Sequence, residues 1–260
     1  MGVNVERLPG GVAVVTLLAE SAQNAFSIKS IKQISETLYS LIDDDEISAY
    51  VLTGSGKFFC AGADINEFRS CYDDGTIADL VSGLTDILHP LLVKIRQSDT
   101  VYVAAINGAA AGGGLGLALS ADYRVASSGA KLAAAFFPLG LSPDGGTTWL
   151  LPRLVGDQIA RRFILDNERW KPEVALANGA VDEVVSNEEL IDRACQLARD
   201  WGKWSHHTKE ATKHLLDVQS TQDFESHLHH EQLLIMAASS SEEFSEGVNA
   251  FLEKRDPVFK

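Results

Sequence analysis

VYVAAINGAAAGGGLGLALSADYRVA, residues 101–126, decides the fold. VYVAAI (101–106) is an apolar, β-branched run and reads as a buried strand. The glycine triplet 112–114 then opens a short apolar helix, GLGLALSA, and DYRVAS reads as the next strand. Working outward, VAVVTLL (12–18) and SAYVLT (48–53) also read as strands. Between them Ile28, Ile31, Ile34, Leu38 and Ile42 fall at helical spacing over 27–43, with Ser27 as N-cap. Residues 78–97 read as a long helix, and KLAAA (131–135) as a further short strand. Beyond residue 145 the pattern is helical apart from VDEVV (181–185). Strands alternating with helices predict an α/β fold with a parallel sheet and crossover helices. A core domain over 1–199 and a helical region over 200–260 are expected.

The chain has 260 residues, enough for one full core, and a formal net charge of −14. That charge argues against a nucleic-acid or anionic-membrane surface, so neither is expected as a partner. Cys60, Cys71 and Cys195 are an odd, scattered set, which points to free thiols and a cytoplasmic location. The first residues lack the layout of a secretory signal, and no apolar run reaches the roughly 18 residues of a membrane helix. His227 and His230 lie three apart, but nothing supplies further ligands in a matching pattern, so no metal is expected.

Two loops carry the chemical signal. CAGAD (60–64) and GGG (112–114) each follow a strand, and each can present a backbone N–H to one cleft. Two such donors aimed at one point form an oxyanion hole, and glycine permits close approach. Tight strand-to-helix packing uses glycine equally well. GGGLG has neither the spacing of a dinucleotide fingerprint nor the ending of a phosphate loop. Asp122 and Asp64 read as structural contacts, and no histidine sits in these loops.

FFCAGADI, the 101–126 stretch, LGLSPDGGTTWLLPRLVG and the ending EGVNAFLEKRDPVF together resemble the crotonase (enoyl-CoA hydratase/isomerase) superfamily, in order over nearly the whole chain. The resemblance implies a ββα superhelix with a helical C-terminal trimerisation region, assembled as a homotrimer or dimer of trimers. It implies an acyl-CoA thioester substrate, with coenzyme A arriving on the substrate and no separate cofactor. The oxyanion donors map to the N–H groups of Ala63 and Gly113. Coenzyme A contacts map to Asn24, Ala25, Phe26, Cys60, Ala61, Asp64 and Ile65, and, from a neighbouring subunit, to Phe251 and Lys254.

The two glutamates of the family's hydratases would fall at Gly116 and Phe136, and neither residue can position water. Asp144, in SPDGG, is the remaining acid of the catalytic segment, as in the isomerase branch typified by the ring-epoxide/enoyl-CoA isomerases of phenylacetate degradation. A single carboxylate suffices to move a proton between two carbons. Phe136, Phe137 and Leu139 are expected to wall it from water. Asp144 also precedes GGTTWLL and would serve there as a helix N-cap; spacing leaves the two roles even and the resemblance favours the base. Other acyl-CoA chemistry and a non-catalytic CoA-ester-binding protein are the alternatives.

Overall fold

The computed structural model describes residues 2–18 and 23–259. A hairpin of β1 (Val3–Leu8) and β2 (Val12–Leu17) leads into α1 (Ile28–Ile42). β3 (Ala49–Gly54) and β4 (Phe58–Cys60) precede α2 (Ile65–Asp73) and α3 (Ile77–Gln97). β5 (Val101–Ile106) and β6 (Ala109–Ala111) precede α4 (Gly113–Leu119). β7 (Tyr123–Ser127) and β8 (Lys131–Ala133) are followed by α5 (Thr147–Val155), α6 (Asp157–Leu165), β9 (Arg169–Trp170) and α7 (Pro172–Asn178). Then come β10 (Glu183–Val185), α8 (Leu190–Gly202), α9 (His206–Val218), α10 (Phe224–Ala238) and α11 (Glu242–Glu253).

Three times a long strand turns directly into a short one. The long strands join a sheet ordered β1-β2-β3-β5-β7-β10, parallel except for the β1–β2 hairpin. The short ones join a second sheet ordered β4-β6-β8-β9, parallel except for β8–β9. This is the expected ββα superhelix. Asn107 ties the first two turns together: its Oδ1 accepts from Gly54 N (2.9 Å) and its Nδ2 donates to Phe58 O (3.2 Å).

β2, β3 and β5 are apolar on both sides because the centre of the large sheet is covered on both faces. Val15, Leu17, Leu52 and Tyr102 pack toward α1 and α3, and Val12, Val14, Val51 and Val103 pack toward Ala194, Leu197 and Ala198 of α8. The helix that runs through residue 199 therefore belongs to the core layer. Ser27 caps α1 as the sequence predicts, accepting from Ser30 N.

Four strands, β1, β4, β6 and β9, escape the sequence reading. The β1–β2 hairpin turns at Gly10 and Gly11, both at positive φ. β6 is the alanine run before the glycine triplet, and β9 has two residues. All are too short or too weakly β-forming to announce themselves by periodicity.

Asp122 is structural, as expected. Its Oδ2 accepts from Tyr102 N (2.9 Å) and from Lys213 Nζ (3.0 Å), and Lys213 also donates to Ile95 O (3.2 Å) and Thr100 O (3.3 Å). One half-buried ammonium thus ties α9 to the end of α3 and the start of β5. Lys213→Met leaves the Asp122 carboxylate without its charge partner and is expected to cost about 3 kcal/mol, read as a lowered midpoint in urea denaturation.

Candidate active site

The loop after β4 and the start of α4 meet backbone to backbone. Gly62 has φ +82, and a Cβ there would lie 2.9 Å from Ala111 O and 3.0 Å from Gly113 N, so only glycine fits. Phe26 forms a parallel bridge to Ala63, in which Phe26 N donates to Gly62 O (2.7 Å) and Asp64 N to Phe26 O (3.0 Å). Such a bridge uses the residues on either side and turns Ala63's own N–H the other way. Gly113 opens α4, where first-turn amides have no helical acceptor. Among the described residues no acceptor takes the N–H of Ala63 or of Gly113. Both residues line one cavity of about 540 Å³, within the roughly 300–1,000 Å³ of small-molecule sites.

The loop carrying Asp144 lies directly on α4. A Cβ on Gly116 would stand 1.9 Å from Gly145 O, and one on Gly145 would stand 3.1 Å from Gly113 Cα. No side chain fits at Gly116, so the position of the first hydratase glutamate is closed by backbone. Phe136, at the second, lines the cavity and is 8% exposed. Asp144 is the one acidic side chain among the described lining residues.

Asp144 does not cap the following helix. Gly146 stands at the N-cap of α5 without a side-chain bond, and Asp144 offers Thr147 N only its carbonyl (3.3 Å). Gly145 and Gly146 both have positive φ, which turns the chain and directs the carboxylate elsewhere. Its Oδ1 meets His89 Nε2 at 2.7 Å, with the two side chains 38% and 51% exposed. Oδ2 has no partner among the described residues.

His89 is the residue that the sequence reading missed, because it comes from α3, 55 positions upstream, rather than from a loop. Its signal was helical spacing: Val81, Leu84, Thr85 and Leu88 line the cavity, and His89 falls one turn beyond Thr85. The expected apolar wall is partial. Phe136 and Leu139 line the cavity, Leu139 is half exposed at its mouth, and Phe137 is not part of the lining.

Of the residues mapped to coenzyme A, Phe26, Ala61 and Ile65 line the cavity. Asn24 is buried and braces its loop, donating to Phe58 O (2.8 Å) and Ser55 O (3.0 Å). Ala25 is buried beside it. Cys60 is fully buried, and burial pushes its thiol up to about 12. Asp64 caps α2 by accepting from Asn66 N (2.8 Å). Phe251 is 83% exposed on α11 and Lys254 ends that helix in the left-handed region; neither lines this chain's cavity.

The sequence profile of the enoyl-CoA hydratase/isomerase family matches residues 7–260. The chain is similar to a 1,2-epoxyphenylacetyl-CoA isomerase of Escherichia coli (strain K12), 35% identical over 96% of this chain and 95% of the relative. It is also similar to a 4-chlorobenzoyl coenzyme A dehalogenase of an Arthrobacter species, 30% identical over 94% of this chain and 88% of the relative. Among solved structures, an enoyl-CoA hydratase from Bacillus anthracis superposes with a TM-score of 0.92 at 27% identity, covering 100% of this chain and 99% of that one.

Two glycines give opposite expectations. Gly116→Ala drives a methyl into Gly145 O and should destabilise the protein by about 1–3 kcal/mol. Gly247, inside α11, has open space around its Cβ position, and Gly247→Ala should stabilise by about 0.5–1 kcal/mol. Urea denaturation of the two variants reads the signs.

Proposed function

The chain belongs to the enoyl-CoA hydratase/isomerase family, and on that premise we propose that it is an acyl-CoA isomerase with Asp144 as its one base. The observation that carries this reading is the single carboxylate of the cavity, in a site where Gly116 has no room for a second and Phe136 replaces another. The thioester oxygen sits between the N–H groups of Ala63 and Gly113, which stabilise the enolate charge by about 2.7–4 kcal/mol each. Asp144 removes a proton from one carbon and returns it two carbons away, moving the double bond between the 3,4 and 2,3 positions. His89 holds Oδ1 and leaves Oδ2 free for the transfer. The protein adds no cofactor of its own, because coenzyme A arrives with the substrate.

One observation favours a second reading. The Asp144–His89 pair also suits nucleophilic chemistry, in which Oδ2 bonds to an acyl carbon, a leaving group departs, and His89 activates the water that cleaves the ester.

We read the C-terminal helices as the assembly surface. α10 and α11 leave Phe224, Leu233, Ile235, Met236 and Phe251 exposed, apolar side chains that a partner would cover. A homotrimer or a dimer of trimers, located in the cytoplasm, is the proposed form; light scattering that finds only monomers would reject it. No helix of the described residues is long and apolar enough to cross a membrane.

Asp144→Asn should lower kcat/KM for a 3-enoyl-CoA by about 10²–10⁴ while leaving the urea midpoint unchanged, since the carboxylate caps nothing. Full retained activity sinks the base assignment. In the wild-type protein, rapid quench and mass spectrometry should find Asp144 unmodified; an acyl adduct on its peptide favours the nucleophilic reading.

A further inference from the structure

The second sheet places a cation, without an acidic partner among the described residues, opposite the oxyanion loops. Its register runs Ala111↔Ala133↔Arg169, and one step along it runs Ala110↔Leu132↔Trp170. Side chains alternate between faces along a strand. Ala110, Leu132 and Trp170 are all buried in the core, so the other row faces away from it, and Ala133 and Arg169 do line the cavity. Ala111 immediately precedes Gly112 and Gly113. Arg169 stands two strand spacings from Ala111, or roughly 10 Å across the sheet. It also lies on the edge opposite β4, the strand that carries the Ala63 loop.

Arg169 has no carboxylate partner among the described residues. The adjacent Glu168 lies on the core-facing side with Trp170, where its Oε2 accepts from Trp170 Nε1 (2.6 Å) and its Oε1 faces Arg162 (3.8 Å). In a chain with a net charge of −14, acids elsewhere hold Arg7, Arg96, Arg124, Arg193 and Arg255. Arg169 is exposed and lines the largely apolar cavity, and a hydrocarbon ligand that covered its guanidinium would desolvate it without a counter-charge, which is costly. A carboxylate satisfies it through two parallel N–H···O bonds. Asn167, at φ +49 on the same wall, adds a second polar side chain.

We propose that Arg169 selects acyl groups that carry a carboxylate at the end away from the thioester. This rests on the reading that the cavity takes an acyl-CoA with its thioester oxygen at Ala63 and Gly113. It does not depend on which reaction follows.

The test is calorimetric titration of the full chain with adipoyl-CoA and with hexanoyl-CoA, saturated thioesters with no double bond to move. The wild-type protein should bind adipoyl-CoA about tenfold more tightly. Arg169→Met should abolish that preference and leave hexanoyl-CoA binding unchanged, and Arg169→Lys should keep part of it. Equal binding of the two ligands by the wild type overturns the inference alone. Equal weakening of both by Arg169→Met also overturns it, and assigns the guanidinium to a phosphate of coenzyme A. Failure of both ligands to bind overturns the acyl-CoA reading and this inference with it.

Discussion

The close approach of the Gly145 carbonyl to Gly116 is the contact on which the site depends. A Cβ at Gly116 would stand 1.9 Å from that oxygen, so the SPDGG loop rests on α4 with nothing between the backbones. This seats Asp144 over the turn that begins with the Gly113 amide. It also removes the space in which a water-handling glutamate would stand. The same packing therefore creates the single-carboxylate site and closes the route to a two-carboxylate one. On the proposed reading, backbone geometry at Gly116 and the residue type at Phe136 both stand against a water-handling pair of glutamates.

Around that contact the two sheets divide the labour. The large sheet is buried on both faces at its centre and supplies rigidity. The small one carries the loops that present Ala63 and Gly113, with Arg169 on its far edge. Donors held by backbone need no reorganisation as charge develops on a thioester oxygen. The third partner arrives from α3, which brings the half-exposed His89 to the carboxylate. The exposed apolar residues of α10 and α11 stand apart from this machinery.

The long elements were legible in the sequence because periodicity is strongest where both faces of a strand, or one full face of a helix, must be buried. VYVAAI and VAVVTLL show this for strands, and the isoleucines of α1 show it for helices. β6 and β9 were not legible: AAA and RW owe their conformation to neighbours in the sheet rather than to propensity. In the site, the glycine loops were readable since close backbone approach demands glycine. The choice between base and cap for Asp144 was not readable, because two glycines at positive φ decide where its carboxylate points. His89 escaped for a related reason: its partner is 55 positions away, and its helical spacing becomes a signal only once the face of α3 that lines the cavity is known. Asn24 and Cys60 mark the opposite case, motif positions whose side chains the fold spends on bracing and packing.

The most direct test of the single-base account is proton NMR in heavy water of the purified protein with a 3-enoyl-CoA, run beside crotonyl-CoA. The account predicts conversion to the 2-enoyl isomer and no hydration of crotonyl-CoA. Formation of 3-hydroxybutyryl-CoA from crotonyl-CoA would contradict it, since a group other than the missing glutamates would then be holding the water.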